Sequence, residues 1–377
     1  DILEFLAIGT DGNPIQNLQY GVTVTDAWME EMKAGDKSKR KIWAKIIQNR
    51  SEIGFPYIMF KDNSNNNSPY KELGMDITAS NLCSEIQLPT DSYNSFVCCL
   101  GSINVLHWDE IKETDAIQTY VYFLNAVMDE FIVKSETMPG MKRANNFAKE
   151  HRAIGLGVLG YHSLFQSKLI EFDSIQAKGL NAQIFSTIKD RSEIASRKLH
   201  KEHGYTSLRN GYANTTLIAI APTKSSSFIH GAVSMGIEPI KSNYFIKDLA
   251  KSKTVYKNPF LIDELEKYGM NTDKVWKSIL KKDGSVQHLG FPTQGVFKSF
   301  VEISPKEIVL QAAQRQKYID QSQSLNLMID PSVSAKDINK LYMYAWEEGV
   351  KTLYYQFSKS SAQDFARNIL ECNSCEG

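Results

Sequence analysis

The stretch that most narrows the fold runs from residue 304 to residue 355. Ser304-Pro305-Lys306-Glu307 reads as an N-cap, a proline at the first helical position, where its missing N–H costs nothing, and a capping-box glutamate. The predicted helix buries Ile308, Ala312 and Ile319 and leads into a strand around Ser324–Met328. Ser334 and Asp337 open a second helix, Gly349 ends it, and Val350–Tyr355 reads as a strand. Strands alternating with helices predict a parallel α/β sheet or barrel, because parallel neighbours need a long crossover between them.

The rest of the chain fits that alternation. Ile42, Trp43, Ile46 and Ile47 stand at helical spacing over residues 42–50 with Gly54 as a stop, and Tyr57–Phe60 reads as a buried strand. Lys61 to Lys71 is expected as an Asn-rich loop, with long helices over about 115–135 and 178–202. Gly155-Leu156-Gly157-Val158-Leu159-Gly160 satisfies the dinucleotide-binding glycine pattern, but the charged segment 145–152 before it makes a poor buried strand. Close strand-to-helix packing is the expected use of these glycines. No repeat is visible, and 377 residues with 42% hydrophobic content suffice for one large domain.

Three motifs carry chemistry. In an extended segment Asn81, Cys83 and Glu85 would share one face, placing an amide, a thiol and a carboxylate together. Tyr354-Tyr355 follows a strand-like run, and Cys372-Asn373-Ser374-Cys375 ends the chain as a dithiol. Taken singly, a cysteine is usually core packing and a tyrosine pair an interface. Asn214–Ala221 reads as a strand running into Pro222-Thr223-Lys224-Ser225-Ser226-Ser227. Hydroxyls and backbone N–H groups there suit an anion, and an ordinary Ser-rich turn with an N-cap explains them equally well.

Together with Ser80–Thr90, Val97-Cys98-Cys99-Leu100, Ala221–Ser227, Gly236-Ile237-Glu238-Pro239, Tyr318–Ser322 and Val350–Gln356, these motifs resemble the large, catalytic subunit of class I ribonucleotide reductase. The matching segments keep the family's order and cover about the C-terminal half of that subunit. The resemblance implies that residues 1–356 are the C-terminal portion of the family's ten-stranded α/β barrel, with Cys83 on a finger loop inside it. Residues 357–377 are then a flexible tail carrying the C-x-x-C.

It also implies roles. Cys83 becomes the thiyl radical that abstracts the substrate's 3′-hydrogen, Glu85 is the general base on the 3′-hydroxyl, and Asn81 anchors the ribose. Cys98 is one thiol of the pair that reduces the substrate, with Cys99 beside it as a second possibility. Tyr355 and Tyr354 are the last stepping stones of the radical. Pro222, Thr223, Lys224, Ser225 and Ser226 hold the substrate's diphosphate. Cys372 and Cys375 re-reduce the Cys98 disulfide, although a lone C-x-x-C is also a weak metal-binding signal.

The partners implied are ribonucleoside diphosphates, the N-terminal half of the catalytic subunit, a small subunit with a tyrosyl radical and di-iron centre, and thioredoxin or glutaredoxin. The chain is expected to bind no cofactor or metal itself, to leave allosteric nucleotides mainly to the missing half, and to be inactive alone. It opens without an initiator Met and is read as a processed, split or truncated product. Zero net charge gives no electrostatic case for nucleic acid or an anionic membrane. No apolar run approaches the ~20 residues of a membrane span. Without a signal-peptide pattern, a cytoplasmic setting is expected. Two rival readings are a non-catalytic reductase-binding fragment and a glycyl-radical enzyme, whose C-terminal glycine motif is missing from this sequence.

Overall fold

The computed structural model describes residues 2–249 and 252–358. Nine strands are described: β1 (Gly21–Val24), β2 (Tyr57–Phe60), β3 (Cys99–Asn104), β4 (Ile154–Leu159), β5 (Tyr244–Leu249), β6 (Ser252–Lys257), β7 (Leu327–Met328), β8 (Thr352–Leu353) and β9 (Gln356–Phe357). Several are short because the ladder continues through irregular segments. β3 runs parallel to β4, Leu156 bridges in parallel to Ile218, and Ile220 bridges in parallel to Gln323. β7 then runs parallel to β9. On the far side β1 runs parallel to β2, but β2 meets β8 antiparallel.

Two parallel groups therefore join along an antiparallel seam, a departure from purely parallel pairing within the expected α/β architecture. Strands buried on both sides read as unbroken apolar runs, as β2 and β4 do. The ladder also extends through Phe357, whose carbonyl accepts from Ile329 N–H at 2.9 Å. The boundary expected at residue 356 thus falls one residue inside β9.

The helices cover the outside, and their ends are set by local chemistry. Asp36 caps the helix Lys37–Ile53 by accepting from Lys39 N–H at 2.9 Å, and Gly54, at φ 88°, stops it. This helix buries Trp43, Ile46, Ile47 and Arg50. The helix Ile175–His203 is capped by Ser174 and buries Ile184, Ile188, Ala195 and Leu199, a stripe of i+4 and i+7 spacings.

The helix expected after Ser304 spans Pro305–Gln316, but the Ser304 side chain makes no capping bond. Glu307 instead pairs with Lys178 at 3.1 Å, and the capping box sits one turn earlier, at Ser299 and Glu302. Ile319 is buried beyond the helix end.

The Asn-rich segment 61–71 is not simply a loop, since Lys61–Asn66 forms a helix. Its asparagines are held from outside: Asn63 Nδ2 donates to Trp346 O and Val350 O at 2.8 and 3.0 Å. Asn65 accepts from Ile77 N–H and donates to Ile77 O, at 2.8 and 3.0 Å. These tertiary bonds override the turn preference of asparagine.

The glycine motif is itself β4. A Cβ on Gly155 would lie 2.6 Å from Leu100 Cδ2 and 2.9 Å from Ala219 Cβ, and one on Gly157 would lie 2.7 Å from Ala219 O. These glycines serve strand-to-strand approach, correcting the strand-to-helix expectation. Gly160, at φ 78°, turns the chain into the helix Tyr161–Ser167.

Candidate active site

The segment around Cys83 is a tight turn, not an extended strand. Asn81 N–H donates to Ile86 O and Asn81 Oδ1 accepts from Ile86 N–H, at 3.2 and 3.0 Å, closing the chain on itself. Ser84 adopts φ 70°, a left-handed conformation that is uncommon outside glycine. Its carbonyl is held by Thr352 Oγ1 at 3.2 Å. The one-face expectation for Asn81, Cys83 and Glu85 is therefore corrected: it is the turn that directs Cys83 and Glu85 into a shared cavity.

That cavity is about 690 Å³, within the range of small-ligand sites. Cys83, Glu85, Tyr354 and Tyr355 line one side, and Pro222, Thr223, Lys224, Ser225 and Ser226 line another. Asn81 and Cys98 are not among its lining residues.

On the reactive side, the Tyr354 hydroxyl donates to Cys83 Sγ at 3.4 Å. Ser324 Oγ donates to Cys83 O at 2.6 Å and lies 3.2 Å from Glu85 Oε2. Burial raises the Glu85 carboxyl above its ordinary pKa, opposed by hydrogen bonds from its own backbone, Asn81 and Ser324. Burial, reinforced by Tyr57, Cys83 and Tyr355, also drives the Tyr354 phenol well up, so it stays protonated.

Cys98 stands next to this wall. Gln321 Nε2 donates to Cys98 Sγ at 3.4 Å and to Ile154 O at 3.2 Å, while Gln321 Oε1 accepts from Gln87 N–H at 3.1 Å. One amide thus ties three segments together. Burial is the main force pushing the Cys98 thiol far above its ordinary pKa, with Cys99 and Glu85 adding to it. Cys99 is raised less, and Arg152 opposes the shift.

On the other side, Thr223 takes φ 55° and opens the one-turn helix Lys224–Ile229. Its hydroxyl is used within the loop, accepting from Gly236 N–H at 2.7 Å and lying 2.9 Å from Ser227 Oγ. Lys224, Ser225 and Ser226 are exposed. Cys372 and Cys375 lie outside the described residues.

Several contributors escaped sequence reading. Tyr57 was assigned only to a buried strand, yet its ring centroid lies 4.7 Å from that of Tyr354 and 5.0 Å from that of Tyr355. Fully buried Arg50 donates from Nε to the Tyr342 hydroxyl at 2.7 Å and from Nη1 to Pro56 O and Tyr354 O at 2.5 and 2.8 Å. Asn326 accepts from Tyr355 N–H at 3.0 Å and donates to Glu238 Oε1 at 2.5 Å. Glu238 lies in a motif with a visible signal, whereas Arg50 lies on a helix whose spacing marks only its apolar face. Among the described residues no group of three His, Cys, Asp or Glu could hold a metal ion, and no helix is long and apolar enough to cross a membrane.

Comparison with known proteins identifies the family. Residues 35–209 and 206–356 match the family described as ribonucleotide reductase, barrel domain. The ribonucleoside-diphosphate reductase large subunit of Invertebrate iridescent virus 3 is 37% identical over 89% of this chain and 56% of its own length. That of Caenorhabditis elegans is 31% identical over 89% of this chain and 48% of its own. The chain thus spans about half the length of these two relatives. A solved structure of the Actinobacillus ureae class Id ribonucleotide reductase alpha subunit superposes with TM-score 0.91 at 50% identity, over 99% of this chain and 70% of that one. With a mixed α/β fold and a match across most of its length, the chain belongs to the ribonucleotide reductase family through its barrel domain.

Proposed function

We propose that this chain forms the reaction chamber of a ribonucleoside-diphosphate reductase and reduces ribonucleotides by thiyl-radical chemistry. The observation that carries the proposal is the Tyr354 hydroxyl donating to Cys83 Sγ at 3.4 Å on the wall of a cavity that Glu85 and the 222–226 loop also line. A 2′-hydroxyl is a poor leaving group on an unactivated carbon, so the neighbouring 3′-carbon must first become a radical. A hydrogen atom passes from the Cys83 thiol to the Tyr354 phenoxyl, and the Cys83 thiyl takes the 3′-hydrogen. Glu85 accepts the 3′-hydroxyl proton, and the 2′-hydroxyl departs as water. Two thiols, Cys98 and a second cysteine, become a disulfide, and the 3′-hydrogen returns from Cys83. The overall balance is ribonucleotide plus two thiols giving deoxyribonucleotide, water and disulfide.

The roles follow from the environments. A carboxylate whose pKa is raised by burial makes a stronger base than a solvated one. A Cys98 thiol kept protonated can hand over hydrogen as well as electrons. Asn81, bonded to the Glu85 carboxyl, orients that base and anchors the ribose from the turn. The exposed Ser225 and Ser226 hydroxyls and Lys224 receive the diphosphate. The initiating radical comes from a small partner subunit through Tyr355 and Tyr354. The Cys372–Cys375 dithiol restores Cys98 with electrons from thioredoxin or glutaredoxin.

The test is CDP reduction by this chain mixed with its N-terminal complement, a tyrosyl-radical subunit and a dithiol, beside Cys83→Ser. Activity lost in the variant supports the proposal. Equal activity removes Cys83 from the chemistry, and no activity in either leaves the chain a non-catalytic, reductase-binding fragment.

A further inference from the structure

We propose that Tyr57 is a positioning residue that holds Tyr354 and Tyr355 in one three-ring cluster against Cys83. The inference rests on the reading of Tyr354 and Tyr355 as the radical route. The Tyr57 centroid lies 4.7 Å from Tyr354 at an interplanar angle of 49°, and 5.0 Å from Tyr355 at 81°. The pair itself is 4.5 Å apart, so Tyr57 is nearly as close to each tyrosine as they are to one another. Three rings in mutual contact cannot slide independently, because moving one opens a gap beside the other two.

Tyr57 is itself fixed at both ends. Its hydroxyl donates to Gln19 Oε1 at 3.0 Å and its N–H donates to Tyr20 O at 3.0 Å. It stands at the start of β2, which is hydrogen-bonded to β1 on one side and β8 on the other. Arg50 links the carbonyl just before Tyr57 to the carbonyl of Tyr354, so a single guanidinium sets the spacing of the two backbones. Tyr355 has two further neighbours. A Cβ on Gly54 would lie 3.4 Å from its ring, and Phe357 stacks on it at 5.4 Å and 20°.

This matters because each step moves one hydrogen atom over a short gap. The Tyr355 phenoxyl takes hydrogen from the Tyr354 hydroxyl, and the Tyr354 phenoxyl then takes it from the Cys83 thiol. Tyr57 gives up no electron or proton in either step; it keeps the donor and acceptor in register. A misplacement near 1 Å in such a step can cost on the order of 10² in rate.

The test places 3-nitrotyrosine at position 354 and titrates its phenol by absorbance in Tyr57, Tyr57→Phe and Tyr57→Leu backgrounds. CDP reduction is measured on the same Tyr57 variants with tyrosine retained at 354, in the full mixture. Tyr57→Phe keeps the ring and is expected to leave kcat unchanged, and its titration, which loses only the contribution of the Tyr57 hydroxyl, is the baseline for the other variants. Tyr57→Leu is expected to drop the reporter's pKa toward that of the free nitrophenol and to lower kcat roughly tenfold or more at unchanged KM. A Tyr57→Leu protein with an unshifted titration and wild-type kcat overturns the proposal. If Tyr57→Leu fails to fold, Tyr57→Met fills the site without a ring and is judged by the same two readouts. Should Tyr354→Phe still reduce CDP, the radical-route reading fails, and the titration alone then decides whether Tyr57 orders the pair.

Discussion

The two sides of the cavity are built differently. The side bearing Cys83 and Glu85 is tied down by buried polar side chains, with Gln321, Ser324 and Thr352 each bonding backbone from other segments. Lys351, fully buried, adds bonds to Asn67 O, Asp320 O and Gln321 O at 2.9, 2.6 and 2.7 Å. The 222–226 side is one loop and the start of a short helix, with the Thr223 hydroxyl bonded to Gly236 and Ser227 and with Lys224, Ser225 and Ser226 exposed at the cavity. Radical chemistry needs fixed donor–acceptor distances and a dry wall, whereas a diphosphate can be gathered by adaptable solvent-exposed groups. Substitutions on the first side should therefore strike turnover, and those on the second should strike substrate affinity.

The largest effect is expected from Cys83→Ser, which removes the sulfur to which the Tyr354 hydroxyl donates and should leave no dCDP above background by chromatography of products. Glu85→Gln comes next, with kcat lower by on the order of 10²–10⁴. Because burial raises the Glu85 pKa and the ionised form is the active base, wild-type kcat/KM should fall as pH drops through that raised value. The same acid limb should vanish from the pH profile of Glu85→Gln.

Arg50→Met leaves two buried carbonyls and the Tyr342 hydroxyl without this donor, a loss of roughly 3 kcal/mol by urea denaturation of the isolated chain. The smallest effect is expected from the exposed loop. Ser225→Ala with Ser226→Ala should raise the KM for CDP by about tenfold, with kcat within roughly twofold. A fall in kcat alone would erase the distinction between the two sides.

The fold was legible wherever its determinants are local. Ser334 accepts from Asp337 N–H at 3.2 Å as its position suggested, and Gly54 ends its helix with the left-handed backbone that glycine permits. The antiparallel seam between β2 and β8 was not legible, because Ile58 and Leu353 pair across nearly three hundred residues and no spacing encodes strand direction. The Lys61–Asn66 helix was missed for a related reason, since Asn63 and Asn65 find their partners only once the chain has folded.

In the candidate site, Cys83, Glu85, Tyr354 and Tyr355 could be named from motifs, and the structure sets them around one cavity. Arg50 and Tyr57 could not, because a buried arginine and a strand tyrosine carry no sequence signature of what they touch. The tight turn at Ser84 was likewise hidden, as serine gives little hint of positive φ.

The most direct test of Cys83 as the hydrogen abstractor is single-turnover reduction of CDP carrying deuterium at C3′, run with the full mixture. A rate several-fold below that of unlabelled CDP, with no product from Cys83→Ser, is the expected result. Equal rates for labelled and unlabelled substrate, together with product from Cys83→Ser, would contradict it.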